Sequence, residues 1–271
     1  MRALLLLPAG AWLLAFVAGP LLLLAIIALA TATEGVPPYH MGISLAAITD
    51  ALTDPLTWAA LWGSLRLASI GTGLCLLLGY PAALAIARAT PDRRAGWLAW
   101  LMLPFWTSFL LRILAWIGIL RDEGLLNGLL RGLGLIGAPL HMLGTDAAAI
   151  VGIVYCYLPF MVLPLQARLA AADPVLEQAA ADLGASPAQV FLRVTLPLSL
   201  PGVAAGVALV LVPVAGEYVI PALMGAPGTL TIGRAIWDSF FLERDWPLAA
   251  SLAMLLLALI SLPALLLRVR R

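Results

Sequence analysis

The chain has 271 residues, of which 63% are hydrophobic and 11% charged, and a formal net charge of +1. Soluble domains carry about 45–50% apolar and about 25% charged residues, and a water-soluble fold of this size cannot hide the excess, so lipid is the solvent for most of the chain. Every one of the 15 basic residues is arginine, which excludes a P-loop lysine and Schiff-base chemistry here and assigns any driving nucleotide hydrolysis to another subunit.

A helix crossing the hydrocarbon core needs about 20 mostly apolar residues. Six stretches qualify, from about Leu7 to Ala30, Ser64 to Ala87, Gly96 to Leu120, Ala147 to Leu169, Ser199 to Ile220 and Pro247 to Leu267. The first follows Arg2 and ends near Ala28, Ala30 and Ala32, as a signal peptide does. Its uncharged run from Ala3 to Thr33 far exceeds an h-region of about 7–15 residues, so a retained transmembrane helix is expected. The chain therefore reads as an all-α polytopic membrane protein. Residues 1–57 hold the first span and a loop, 58–267 a core of five spans, and 268–271 a basic tail.

Arg66 starts the second span and can snorkel to a surface. In the third, Arg112 lies about eight residues from one end, roughly 12 Å deep. Intramembrane charges usually face a cavity or a protein interior. Arg112 either lines a translocation path, or pairs with Glu217 or a carbonyl of a broken helix, and Trp106, mid-span, is a weaker path candidate. The stretch Arg121–Asp146 carries the pairs Leu125–Leu126, Leu129–Leu130 and Leu135–Ile136, as short interfacial helices would. Pro81, Pro104, Pro159, Pro213 and Gly216 interrupt spans. They are either kinks tolerated by packing or, at Pro213 and Gly216, a break beside a cavity. Glu217 either attracts a cationic solute or neutralises Arg112, and Tyr218 is a weaker path candidate. After the turn Gly225–Gly228, Ile232, Ile236 and Phe240 fall at helical spacing, as on an amphipathic helix.

The segment Ala171–Pro201 is the most informative. Asp173-Pro174 is an N-cap followed by proline at the first helical position. Gly184 fits a C′ residue, and Ser186-Pro187 with Gln189 forms a capping box. Two short helices with a sharp turn are expected, the second ended by Leu196-Pro197 and Leu200-Pro201. Such a loop is either a docking element for a partner or a capped loop without one, since caps report structure rather than binding.

Arginine placement sets orientation. With the N-terminus cytoplasmic, Arg2, Arg88, Arg93, Arg94, Arg168, Arg193, Arg268, Arg270 and Arg271 lie inside, and Arg121, Arg131, Arg234 and Arg244 outside. Both termini are then cytoplasmic. Trp58, Trp62, Trp97 and Trp246 fit an aromatic belt. Cys75 and Cys156 lie in apolar runs and His40 and His141 in loops, so neither a disulfide framework nor a metal site is supported, and no cofactor is expected. An intramembrane serine protease is a poor fit: both histidines lie outside the spans and no Gly-x-Ser-x-Gly elbow occurs.

Gln178-Ala179-Ala180-Ala181-Asp182-Leu183-Gly184-Ala185-Ser186, followed by Phe191, Val194, Leu196-Pro197 and Pro201-Gly202, resembles the EAA loop of type I ATP-binding-cassette importer permeases, of MetI-like fold. The motif's leading Glu falls on Gln178, with Glu177 one residue earlier. Gly79-Tyr80-Pro81, Pro104 to Phe109, Arg112 with Ala115-Trp116, Gly124 to Asn127, Leu158-Pro159-Phe160 and Gly216 to Pro221 are similar to the spermidine/putrescine-type subfamily. The resemblance implies a bacterial inner-membrane permease forming half of a pathway for a small solute, with a polyamine first. The implied partners are two cytoplasmic ATPases that dock at Glu177–Ser186, a second and different permease, and an extracytoplasmic binding protein. The chain itself is not an enzyme and binds no nucleic acid. An ion-coupled secondary transporter is the alternative; the halves show no convincing repeat.

Overall fold

The computed structural model describes residue 8 and residues 10–269, with side chains of the last helix described as far as Ser261. Leu7 at the start of the first stretch, and Arg2, Arg270 and Arg271 of the basic ends, lie outside the described residues; Arg268 is described in its backbone alone.

Helix α1 (Gly10–Ala28) is followed by the strands β1 (Thr31–Ala32) and β2 (Tyr39–His40), paired antiparallel with Thr31 opposite His40. Next come α2 (Ala46–Thr53) and α3 (Pro55–Arg88). Helix α4 (Pro91–Met102) and a 3-10 turn (Leu103–Trp106) precede α5 (Phe109–Leu120) and α6 (Leu125–Gly132). Helices α7 (Asp146–Ala170) and α8 (Pro174–Asp182) follow. Then come α9 (Pro187–Ala215), α10 (Val219–Met224), α11 (Ile232–Trp237) with a π-turn (Asp238–Leu242), and α12 (Trp246–Val269).

Among the described residues α1, α3, α7 and α9 are long and apolar enough to cross a membrane. The third expected span is not one straight helix. It breaks between Trp106 and Phe109, and the two parts are bent by 89°. Pro104 lacks the donor that would continue the ladder, and Thr107 turns to an extended conformation (ψ 153°). With this pair as one bent span the count is five, and α12, 24 residues long, holds the sixth expected stretch.

The prolines at 197 and 201 do not end the helix after the turn, which runs from Pro187 through a π-turn (Phe191–Thr195) into the fifth span. Leu196 N–H reaches back to Phe191 O. The wider turn relieves the clash of a proline ring with the carbonyl four residues before it. The fifth span ends at Ala215, not Ile220, and α10 is a separate short helix.

The chain divides into two compact units, residues 1–64 with 230–271, and residues 65–229. In the first, Ala51, Leu61, Ile232 and Leu252 form the buried core with Leu248, Leu255 and Leu256 against it. Of the residues at helical spacing after Gly228, Ile232 is fully buried and α11 is a short packed helix. In the second unit, Ala83, Ile86, Val162 and Leu165 are the corresponding core. There α7 and α9 approach so closely that a Cβ on Gly206 would stand 2.6 Å from Met161 Sδ and 3.0 Å from its carbonyl oxygen. Small residues permit such contact where no hydrophobic force draws helices together in lipid.

Candidate functional site

Two features of the second unit carry chemistry: the turn after α8, and a cavity bordered by α5, α7 and α9. The turn forms as its local chemistry dictates. Asp173 Oδ1 accepts from Val175 N–H at 3.0 Å. At the other end of α8, Gly184 N–H donates to Ala181 O (2.9 Å) and Ala185 N–H to Ala180 O (3.1 Å), a Schellman pair. It requires the left-handed backbone that Gly184 supplies, with φ at +85°. Ser186 and Gln189 then exchange hydrogen bonds, Gln189 Oε1 accepting at 2.8 Å and Ser186 Oγ at 3.4 Å. The result is a turn held at every orphaned helix end.

Its outer surface is formed by Gln178, Ala179, Ala181, Asp182, Gly184 and Ser186, all exposed, with Ala180 and Ala185 half-buried. Leu183 at the tip is 90% exposed, an apolar side chain presented outward on a rigid turn. Glu177 does not belong to this surface. It turns inward, where Arg88 Nη2 donates to both its oxygens (3.0 and 3.2 Å) and Thr195 Oγ1 donates at 2.5 Å. Sequence reasoning missed Arg88 and Thr195 as its partners. Arg88 is 89 positions away, and only the helical phase separating Glu177 from Gln178 by about 100° hinted at different faces.

The cavity has a volume of about 590 Å³ and is lined by Phe105, Phe109, Arg112, Tyr157, Phe160 and Val212 among others. Phe105 and Phe160 meet edge-on at 5.2 Å. The Arg112 guanidinium carbon stands 4.9 Å from the Phe105 ring centre and 5.6 Å from that of Phe109. Its Nε and Nη1 are buried without a hydrogen-bond partner. The pairing considered for Arg112 does not form: among the described residues no ion pair joins it to Glu217, and neither of those nitrogens bonds a carbonyl.

Glu217 is occupied otherwise. Its Oε2 accepts from the Tyr157 hydroxyl at 2.6 Å, and its Oε1 from Val219 N–H (2.9 Å) and Ile220 N–H (3.4 Å). The carboxylate thus caps α10 after the break at Gly216, and a negative group at a helix N-terminus is favourable. Tyr218 lies half-buried between Glu217 and α10. Trp106 is 82% exposed at the α4–α5 break, outside the lining of the cavity. Tyr157 and Phe160, which complete this site, went unremarked as a pair, although their spacing of three on a helix places them on one face.

Arg66 does not merely reach for a surface. It pairs with Asp146 at the start of α7, and Thr229 Oγ1 donates to the other carboxylate oxygen at 3.0 Å. In the segment 121–146, α6 takes up the first two leucine pairs, while Leu135–Ile136 lie beyond it. Asn127, 1% exposed, holds this segment by donating to Arg121 O and Leu140 O and accepting from Leu140 N–H.

The sequence of residues 7–271 matches the family model described as binding-protein-dependent transport system inner membrane component. The chain is 38% identical over 251 residues to the spermidine/putrescine transport system permease protein PotB of Haemophilus influenzae, covering 93% of this chain and 87% of that protein. Identity to the Escherichia coli protein of the same name is 41% over 211 residues, covering 78% and 77%. The molybdenum transport system permease protein ModB of Mycobacterium bovis is 34% identical over 223 residues, covering 79% and 80%. Among solved structures, a bacterial ABC transporter that imports the acidic polysaccharide alginate superposes with a TM-score of 0.69 at 20% identity, over 98% of this chain and 94% of that one.

Proposed function

For a chain that belongs to the family of binding-protein-dependent transport system inner membrane components, we propose that the turn after α8, through its outer surface Gln178–Ser186, is where an ATPase docks and that a polyamine is the solute. In this reading residues 58–267 are the permease core and form half of the translocation pathway, with a second, different permease forming the other half. Two cytoplasmic ATPases supply the energy and an extracytoplasmic binding protein delivers the solute. Both termini face the cytoplasm, in keeping with the arginine distribution. The chain itself catalyses nothing.

The observation that carries the docking assignment is the turn itself: closed by a Schellman pair at Gly184 and a capping box at Ser186, with Leu183 exposed at its tip. Continuity of α9 from the turn into the membrane supports transmission of force, because a continuous helix moves as a rod. The identities of 38% and 41% to spermidine/putrescine permeases, against 34% to a molybdenum permease, favour a polyamine. Arg112 and Glu217 border the translocation path, while Trp106 and Tyr218 flank it. Glu217 acts there by holding α10 in place.

The solute assignment is tested with the assembled complex and its binding protein in proteoliposomes. ATP-dependent uptake of spermidine, competed by putrescine and indifferent to molybdate, is expected. Molybdate uptake without spermidine uptake overturns it.

A further inference from the structure

A turn that receives force moves a membrane helix only through contacts that resist being pulled apart. Toward α9 that contact is covalent. Toward α3 the situation differs, because a cavity of about 330 Å³, lined by Leu84, Arg88, Leu169, Pro174, Thr195 and Leu198 among others, adjoins α8 and the end of α3. Across it reaches one carboxylate.

We propose that Glu177 is a positioning residue that yokes α8 to the end of α3 and the start of the fifth span, so that displacement of the turn moves α3 and α9 together. This rests on the reading of the turn as the ATPase-docking element. Glu177 holds Arg88, the last residue of α3, by both oxygens, and Thr195, the last residue of the π-turn, by one. Arg88 is free to make this contact because another residue closes its helix. Arg94 Nη2 donates to Ala87 O (2.5 Å) and Ala89 O (3.4 Å), satisfying carbonyls that a terminal arginine often covers. Farther along α3, Tyr80 shares a hydrogen bond of 2.9 Å with Ser199 and meets the Phe191 ring edge-on at 5.6 Å. Tyr80 thus binds α3 to the fifth span, and Glu177 binds it to the turn.

The Arg88 and Glu177 side chains are 56% and 34% exposed. Pairs so exposed contribute little to folding, so neutralising this one leaves the fold intact and removes the yoke. The test uses the complete complex in proteoliposomes and reads three quantities: co-purification of the ATPase, ATP hydrolysis, and solute uptake per ATP. Glu177→Ala and Arg88→Ala, which remove the carboxylate and the guanidinium outright, are expected to retain the ATPase and its hydrolysis while uptake per ATP falls several-fold. The double neutral variant falls no further than either single one, and the exchange Glu177→Arg with Arg88→Glu recovers most of the loss. Thr195→Val, which keeps side-chain shape, gives a smaller fall in the same ratio and serves if a charge variant fails to assemble. Unchanged uptake per ATP in the assembled variants, or a double variant that loses both single effects in full, overturns the yoke. If the ATPase fails to co-purify with the unsubstituted permease, the docking reading itself falls, and the yoke with it.

Discussion

Glu217 and Arg112 show how differently two charges of the second unit are accommodated. The carboxylate is surrounded by donors, the Tyr157 hydroxyl and two backbone N–H groups of α10. The guanidinium rests on the Phe105 and Phe109 rings with two nitrogens unpartnered. Replacing Glu217 by Ala leaves those donors without an acceptor, and such losses cost about 1–3 kcal/mol. A lowered thermal midpoint in detergent is expected for Glu217→Ala, with a smaller change for Glu217→Gln; an alanine variant as stable as the parent contradicts the capping role. Since the two charges are not paired, the double variant Arg112→Ala with Glu217→Ala should transport no better than the worse single variant, and recovery in the double reveals a pair. At Gly184 the constraint is backbone conformation. With φ at +85°, a β-branched residue is an outlier, and the left-handed region costs an L-residue about 1–2 kcal/mol. Gly184→Val should therefore lose ATPase co-purification or uptake while α9 remains folded, which normal values of both would contradict.

The elements follow the same logic over longer distances. Helices α7 and α9 pack through glycine: a Cβ on Gly202 would stand 2.8 Å from Arg168 Cβ, and one on Gly206 2.6 Å from Met161 Sδ. Overpacking of a close interface costs about 1–3 kcal/mol, and the backbone of Met161 leaves a large side chain nowhere to go. Gly206→Leu should lower the thermal midpoint far more than Leu209→Ala, whose side chain is 49% exposed; equal effects would argue against the tight interface. The prolines of α9 explain why its extent was hard to foresee. Proline reads as a helix stop when each turn is assumed to be α-helical, and the π-turn at Phe191–Thr195 removes that assumption. The reverse holds for the third span, where Pro104 reads as a kink but the chain breaks after Trp106 and bends by 89°.

At the scale of the molecule, what the sequence discloses divides by range of interaction. Asp173-Pro174, Gly184 and Ser186-Pro187 with Gln189 specify the turn through bonds that close within a few residues, so the turn was legible almost atom by atom. The apolar stretches were legible too, since each must cover its own backbone in lipid. Bonds between distant positions were not. Nothing near Glu177 announces Arg88, and nothing near Glu217 announces Tyr157, 60 positions earlier. If the turn around Gly184 is the surface an ATPase grips, crosslinking tests it most directly. Cysteine placed at Leu183, 90% exposed, is compared with cysteine at Leu135, 67% exposed beyond α6; the native Cys75 and Cys156 are buried. With the ATPase co-expressed, a crosslink from position 183 and none from position 135 is the result predicted. A crosslink from 135, or none from 183 in a complex that still imports its solute, would contradict it.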